Sequence, residues 1–173
     1  MKITNKKLKI TKAFTLVELL VVMAIIGILA SLAVGNFRSV QARGRDAQRK
    51  SDLKQIAHSL ELYYGDYGQY PSAVSTSRIG GCPSTSNTSC VWGTGSFTDN
   101  KTVYFKTIPA DPVPQQNYYY RIVPASNNQK YQIFAYLESI NDPDKIVGLP
   151  NYSCGTGKNC NYAVTSANAG PTE

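Results

Sequence analysis

The chain has 173 residues, of which 18 are lysine or arginine and 11 are aspartate or glutamate. This length fits one modest domain with an attached segment, and it argues against a large multidomain enzyme. Five of the cations precede residue 13, which leaves a net charge of about +2 for the remainder. That charge is too small to predict a nucleic-acid-binding protein.

The amino-terminal stretch combines a basic segment with a long apolar run, residues 14–34. A helix of this length spans roughly 30 Å, which is enough to cross a bilayer. The run therefore predicts a membrane anchor. The alternative is an ordinary signal peptide cleaved near the small residues 31–33, which would release a protein that begins near Val34.

One carboxylate, Glu18, lies inside this apolar run. A charged carboxylate at the centre of a bilayer costs roughly 2.5–3.5 kcal/mol even on lenient insertion scales. The surrounding sequence KAFTLVELL, from Lys12 to Leu20, resembles the processing signal of type IV prepilins and type II secretion pseudopilins. In that family a prepilin peptidase cuts a basic leader before a Phe and methylates the new amino terminus. The resemblance places the cut between Ala13 and Phe14, although most members have Gly before the cut.

The resemblance also implies an assembly role for Glu18 and Phe14. The Glu18 carboxylate would pair with the Phe14 amine of the next subunit and so set the axial stagger of a filament. A paired charge is much less costly in lipid than a lone one, so docking would relieve the cost. The alternative is an interfacial Glu near the lipid headgroups.

Beyond residue 35 the pattern becomes amphipathic, which predicts that the helix continues to about Tyr64 and ends before Gly65 and Gly68. Its apolar stripe has spacings of three and four residues: Leu53, Ile56, Ala57, Leu60, Tyr63 and Tyr64. The opposite face, predicted to be solvated, carries Arg49, Lys50, Asp52, Lys54, Gln55 and Glu61.

A basic cluster spans residues 38–50 and contains Arg38, Arg43, Arg45, Arg49 and Lys50. One interpretation is contact with lipid or DNA phosphates. The interpretation that we favour is a solvated face that is partly ion-paired, with Arg49 pairing to Asp46 three residues away. DNA uptake is conceivable for such a protein, but the sequence does not support it.

The remainder predicts a small antiparallel sheet. Residues 117–123 and 131–138 are aromatic and β-branched and flank a turn, which is typical of a hairpin, and residues 103–105 predict an edge strand. The face with Ile133, Ala135 and Leu137 is expected to pack on the helix, and Trp92 and Phe97 are expected to lie on the core. The fold class is therefore α+β: a long amino-terminal helix packed on a small antiparallel β-sheet domain.

Two short stretches of this part, Tyr70-Pro71 and the IPADP sequence of residues 108–112, resemble landmarks of the major pseudopilins and related small pilins. In those proteins a Tyr-Pro turn ends the helix, and a loop with Asp-Pro precedes the sheet. The resemblance therefore extends beyond the amino-terminal signal.

Four cysteines form two local pairs along the chain. Four cysteines allow three connectivities, and short-range closure favours Cys82 with Cys90 and Cys154 with Cys160. Their spacings fit no common zinc pattern. Disulfides predict a location outside the cytoplasm.

The sequence offers two further candidates for chemistry, and we interpret both as structural. The resemblance allows a calcium site in a carboxy-terminal loop, where Asp142 and Asp144 are hard oxygen ligands, but a simple Asp-Pro turn is favoured. No cofactor is therefore expected. No set of nucleophile, base and orienting group is visible, so we predict that the chain is not an enzyme.

These observations divide the chain into a leader (1–13), a transmembrane and assembly helix (14–35), an amphipathic continuation (36–66) and a β-rich head (67–173). The predicted function is a structural subunit of a type IV pilus-like filament, polymerised through its hydrophobic helix. One alternative is the major pseudopilin of a type II secretion system. A second, from another class, is a secreted or anchored binding module with an ordinary signal peptide.

The resemblance also implies partners and a location. The partners would be further copies of the chain, minor pilins or pseudopilins, the prepilin peptidase and methyltransferase, the inner-membrane assembly platform and membrane lipid. The subunit would cross the cytoplasmic (inner) membrane once, with its carboxy-terminal domain outside the cytoplasm. After assembly it would lie in an extracellular or periplasmic filament.

Overall fold

The structure is a computed structural model that describes residues 14–74, 77–82 and 89–173, with the backbone alone at 32–36. The chain divides into two compact units, an amino-terminal unit ending at Val40 and a second unit from Gln41 to Glu173. The elements are α1 (Leu16–Tyr67), β1 (Ala73–Val74), β2 (Arg78–Ile79), β3 (Phe97–Thr98), β4 (Val103–Phe105), β5 (Tyr119–Ile122), β6 (Tyr131–Ala135) and β7 (Tyr162–Thr165). This arrangement confirms the predicted α+β class.

Helix α1 ends at Tyr67 rather than at Tyr64, so the predicted end is too early. Gly65 lies inside the helix. The Tyr67 ring stacks on Tyr63 with centroids 4.5 Å apart, and the Tyr67 hydroxyl donates to Asp99 at 2.6 Å. These contacts stabilise the last turn, and Gly68 then takes the positive φ of 65° that commonly terminates a helix.

The apolar stripe of α1 forms the core of the second unit, as predicted. Leu53, Ile56 and Leu60 are fully buried in one cluster with Ile133 and Leu137. Burial of such a side chain stabilises the fold by roughly 1.5–3 kcal/mol. Trp92 and Phe97 are also buried in this cluster, which confirms their predicted place.

The solvated face of α1 was predicted with two errors, Arg49 and Asp52. Arg49 is 0% exposed and Asp52 is 8% exposed. Both lie on the border of the apolar stripe and find polar partners in the head, so burial leaves neither side chain without hydrogen bonds.

The main sheet has the strand order β5-β6-β7 and is antiparallel throughout. The predicted hairpin is therefore correct, with Tyr120 opposite Ile133. Two details differ from the prediction. Strand β4 pairs with β3 in a separate two-stranded ribbon, and the third strand of the main sheet is instead β7, which the sequence analysis did not identify.

Both faces of the central strand β6 are covered, and all five of its residues are buried. One face packs on α1. On the other face, Phe134 packs in a second cluster with Cys154 and Cys160, next to Tyr119 and Tyr152. The carboxy-terminal loop thus closes the side of the sheet opposite the helix.

The cysteines pair as short-range closure favours. One disulfide joins Cys82 to Cys90 and the other joins Cys154 to Cys160, and no described cysteine is free. The second pair closes the loop that covers Phe134, so this disulfide directly supports the second cluster.

Candidate assembly segment and the arginine network of the second unit

The assembly segment, residues 14–31, presents its apolar side chains outward. Phe14 is 82% exposed and Leu16 is 78% exposed, and the other large apolar side chains are exposed as well: Val17, Leu19, Leu20, Val21, Val22, Met23, Ile25, Ile26, Ile28 and Leu29. Exposed apolar surface of this extent marks a site of contact with lipid or protein.

The first turn of α1 is closed by a capping box. The Thr15 amide and hydroxyl donate to Glu18 Oε2 at 2.8 and 2.7 Å, and the Glu18 amide donates to Thr15 Oγ1 at 3.3 Å. This reciprocal pattern satisfies amides that a helix start leaves without partners. Glu18 therefore has a local partner in Thr15, which the sequence analysis missed although T-x-x-E is a sequence-level signal.

Several predictions for this segment lie outside what the structure describes. The leader (1–13) and Ala13 are not described, so the cut before Phe14 and the pairing of Glu18 with a neighbouring Phe14 stay predictions. Among the described residues, no helical stretch has the combined length and hydropathy that a bilayer crossing requires.

In the second unit, the fully buried Arg49 is surrounded by acceptors. Its guanidinium donates to both oxygens of Asp111 at 2.8 and 2.9 Å, to Asp46 at 2.8 Å and to Gln116 at 3.0 Å. It also lies 2.8 Å from Glu138. A planar guanidinium suits such bidentate pairing. The charge and hydrogen bonds of Asp111 and Glu138 outweigh burial and raise the pKa of Arg49.

The same network fixes the end of the hairpin to α1. Asp46 accepts the backbone amides of Glu138 and Ser139 at 2.9 and 2.8 Å. Arg45 also binds Glu138, with its Nε donating at 2.8 Å. The hydrogen bond from Arg45, aided by Arg49, lowers the pKa of Glu138 to about 2. Two arginines and three carboxylates thus form one connected group that includes Asp111.

Ion pairs within the chain show which of the two interpretations applies to most of the basic cluster. Arg45, Arg49 and Lys50 are engaged with carboxylates of the same chain, as the ion-paired interpretation expects. Arg38 and Arg43 are exposed, and within the described ranges neither forms an ion pair. Three of the five charges are therefore neutralised internally, which weakens the case for phosphate binding.

A second buried contact joins α1 to Tyr118, the residue just before β5. The Tyr118 hydroxyl donates to Asp52 Oδ2 at 2.7 Å. Burial raises the pKa of Asp52, and the hydrogen bond from Tyr118 only partly offsets that effect. The bond gives the buried carboxylate a partner that it would otherwise lack.

The candidate calcium ligands have a different partner. Lys50 Nζ lies 2.6 Å from Asp142 Oδ1 and 2.6 Å from Asp144 Oδ2. Calcium takes six to eight oxygen ligands at about 2.3–2.6 Å. No cluster of three or more His, Cys, Asp or Glu side chains able to hold a metal occurs in the described part of the chain. The donor set therefore does not fit a calcium ion.

Comparison with known proteins places these features in a family. The family described as "Prokaryotic N-terminal methylation motif" matches residues 8–34. The type II secretion system core protein G of Escherichia coli is 30% identical over 113 residues, which are 65% of this chain and 70% of that protein. The corresponding protein of Pseudomonas aeruginosa is 35% identical over 57% of this chain and 66% of its own length.

A pilin is similar over a shorter region. The type IV major pilin protein PilA of Myxococcus xanthus is 36% identical over 76 residues, which are 44% of this chain and only 34% of that pilin. No solved structure matches the chain. The processing motif, the capped apolar helix, the α+β fold and these similarities together show that the chain belongs to the type IV pilin and type II secretion pseudopilin family.

Proposed function

We propose that this chain is a structural subunit of a pilus-like filament, anchored in the cytoplasmic membrane before assembly and polymerised through the assembly segment. The observation that carries the proposal is the exposed apolar surface of residues 14–31. Membrane lipid would cover this surface before assembly, and other copies of the chain would cover it afterwards. The role is structural rather than catalytic.

A secretion pseudopilus is the second candidate, and the long stretch of similarity to core protein G supports keeping it. The match to core protein G of Dickeya chrysanthemi extends over 162 residues and 92% of that protein, at 25% identity. The match to the Myxococcus pilin covers only 34% of that pilin. Deletion of the gene should distinguish the two: loss of surface filaments indicates a pilus, and loss of protein secretion with surface filaments intact indicates a pseudopilus.

Processing is tested by the amino terminus of the mature protein. We expect mass spectrometry of filaments or membranes to find a chain that begins with methylated Phe14, because the motif at residues 8–34 is a methylation motif. A mature chain that begins near Val34 would instead support the secreted binding module and would contradict the filament proposal.

The role of Glu18 is tested by separating its charge from its hydrogen bonds. In Glu18→Gln, the amide oxygen still accepts the Thr15 hydrogen bonds, because Gln serves a capping box as Glu does. The variant therefore keeps the helix cap and loses only the charge. We expect it to insert into the membrane and to be cleaved normally. Electron microscopy should show at least tenfold fewer filaments, because loss of a charge pair worth about 1.4 kcal/mol already changes an equilibrium constant tenfold.

The matched control is Thr15→Val, which removes the cap hydroxyl and keeps the Glu18 charge. Loss of one cap interaction costs about 1 kcal/mol, so we expect a smaller decrease in filament number. Normal assembly of Glu18→Gln together with strongly reduced assembly of Thr15→Val would show that the cap matters and that intersubunit charge pairing does not.

A further inference from the structure

A groove lies between α1 and the end of β4 in the second unit. Its volume is about 510 Å³, which is the size of a typical ligand-binding cleft. Tyr104 and Phe105 line it from the strand, and Lys54 and His58 line it from the helix. The groove therefore combines aromatic surface with side chains that carry nitrogen donors.

The charge of this groove is positive. Lys54 on α1 and Lys106 just after β4 are both exposed, and within the described ranges neither ammonium forms an ion pair. The ring nitrogens of His58 add further hydrogen-bonding groups. Among the described residues that line the groove, none is Asp or Glu. Such a surface is complementary to an apolar side chain that lies beside a carboxylate.

A surface of that kind occurs on the loop between β6 and β7 of the same chain, residues 139–148. Ile140 is 88% exposed and Val147 is 96% exposed. Between them the Asp144 side chain is 57% exposed, and its Oδ1 accepts no hydrogen bond from the described residues. Lys145, the cation of this loop, is only half-exposed. Because both aliphatic side chains are almost fully exposed, the loop does not fill the groove of its own chain.

The loop is held in place by contacts within its own chain. At its start the Ser139 amide donates to Asp46 at 2.8 Å, and near its end the Ile146 amide donates to the Asn161 carbonyl at 2.8 Å. Lys50 binds two carboxylates in the middle of the loop and so ties it to α1. A preformed loop loses little conformational entropy on docking, which favours association through its exposed side chains.

We propose that residues 139–148 of one copy dock in the groove of another copy, with Asp144 facing Lys54 and Lys106. The groove and the loop share no residue, so the contact is heterologous and repeats from copy to copy. Contacts of this type produce an open filament when the rotation between copies does not close a ring. The inference rests on the proposed filament function and deepens it, because it assigns a contact between second units in addition to the assembly segment.

The first test crosslinks the two surfaces of different copies. Cells co-produce one full-length chain with Gln55→Cys, a residue that lines the groove, and one with Val147→Cys. A short bis-maleimide joins free thiols in filaments and membranes, and the native cysteines are protected by their disulfides. We expect a covalent dimer only when both variants are present. Gln115→Cys, an exposed position outside the loop, replaces Val147→Cys as the control and should give no dimer.

The second test reverses the charge of the groove. Lys54→Glu combined with Lys106→Glu should give at least about tenfold fewer filaments by electron microscopy, because like charges then face each other across the contact. Lys101→Glu combined with Lys158→Glu makes the same change in net charge outside the groove and should leave filament number unaltered. All four lysines are exposed, so both variants should melt within about 2 °C of wild type, which separates loss of the contact from loss of the fold.

The possible results separate this inference from the proposed function. Filaments that form without the crosslinked dimer would overturn the inference and leave the proposed function standing. A dimer of equal strength with Gln115→Cys, or a normal number of filaments from the Lys54 and Lys106 variant, would also overturn the inference. A wild-type chain that forms no filaments even when overproduced would overturn the proposed function, and the inference with it.

Discussion

The two units of the chain use one continuous helix in opposite ways. In the assembly segment, residues 14–31, the large apolar side chains are exposed on every side of the helix. In the second unit, the apolar residues of α1 are confined to one stripe, and Leu53, Ile56 and Leu60 are fully buried. The second unit therefore completes its core within the chain, whereas the assembly segment needs lipid or other molecules to cover it.

The two units also differ in the partners of their acidic side chains. The described part of the assembly segment has one acidic side chain, Glu18, which is bound only to Thr15. In the second unit, several acidic side chains are bound by cations of the same chain, as Asp111 is by Arg49, and others by tyrosine hydroxyls, as Asp52 is by Tyr118. Ion pairs within the chain therefore help to stabilise the second unit, whereas no cation among the described residues binds the Glu18 carboxylate of the assembly segment.

The largest effect that we expect in the second unit comes from Arg49→Met. This change leaves Asp46 and Asp111 buried without their cation. Removal of one partner from a buried ion pair typically costs 3–5 kcal/mol, so the free energy of unfolding should fall by about that amount. Urea unfolding followed by Trp92 fluorescence measures the loss.

Arg43→Met is the matched control for this change. Arg43 is exposed on the same helix, and substitution of such a residue usually changes stability by less than about 0.5 kcal/mol. If Arg49→Met lowered the free energy of unfolding as little as Arg43→Met does, the arginine network would not stabilise the second unit. The proposed methylation at Phe14 should be the same in both variants as in wild type, because neither change touches the motif at residues 8–34.

A smaller loss is expected from removal of the second disulfide in the variant with both Cys154→Ser and Cys160→Ser. The two cysteines are six residues apart, and closure of so short a loop stabilises a fold by about 2–3 kcal/mol in the chain-entropy model. Limited proteolysis should cut the loop that covers Phe134 faster than in wild type. Thr156→Ala, an exposed change in the same loop, should leave the rate unaltered; equal rates for both variants would contradict the expectation.

The smallest effect that we expect is the loss of Glu138's contribution to stability at acidic pH. The pKa of Glu138 is about 2 in the fold, below its ordinary value of 4.5, so its contribution to stability is fully present above pH 4.5. That contribution is lost as the pH falls from 4.5 towards 2, because the unfolded chain then binds a proton that the folded chain does not. Glu138→Gln should be less stable than wild type at neutral pH, and the difference should narrow on acidification. A difference that stays constant between pH 6 and pH 3 would exclude this linkage.

The sequence predicts the features that depend on periodicity. The three- and four-residue spacing placed Leu53, Ile56 and Leu60 in the core, and strand alternation placed Ile133 and Leu137 against the helix. The same rule explains why Phe134 points to the opposite face.

Features that depend on distant partners were not predictable in this way. Arg49 and Asp52 have polar side chains on the border of the stripe, and their burial follows from Asp111 and Tyr118, which are more than 60 residues away. Only tertiary contacts reveal such pairs. The sequence analysis did not predict strand β7. Its four residues follow a cysteine loop, and their place in the sheet depends on pairing with β6, a tertiary contact.

The enclosure of β6 has a consequence for the far end of the chain. Because Phe134 is covered by the loop around Cys154 and Cys160, residues 149–173 are part of the folding unit and not an appendage. Deletion of residues 149–173 would expose one face of β6 and remove its neighbouring strand β7. Amide hydrogens of this strand should consequently exchange with deuterium only when the whole unit opens.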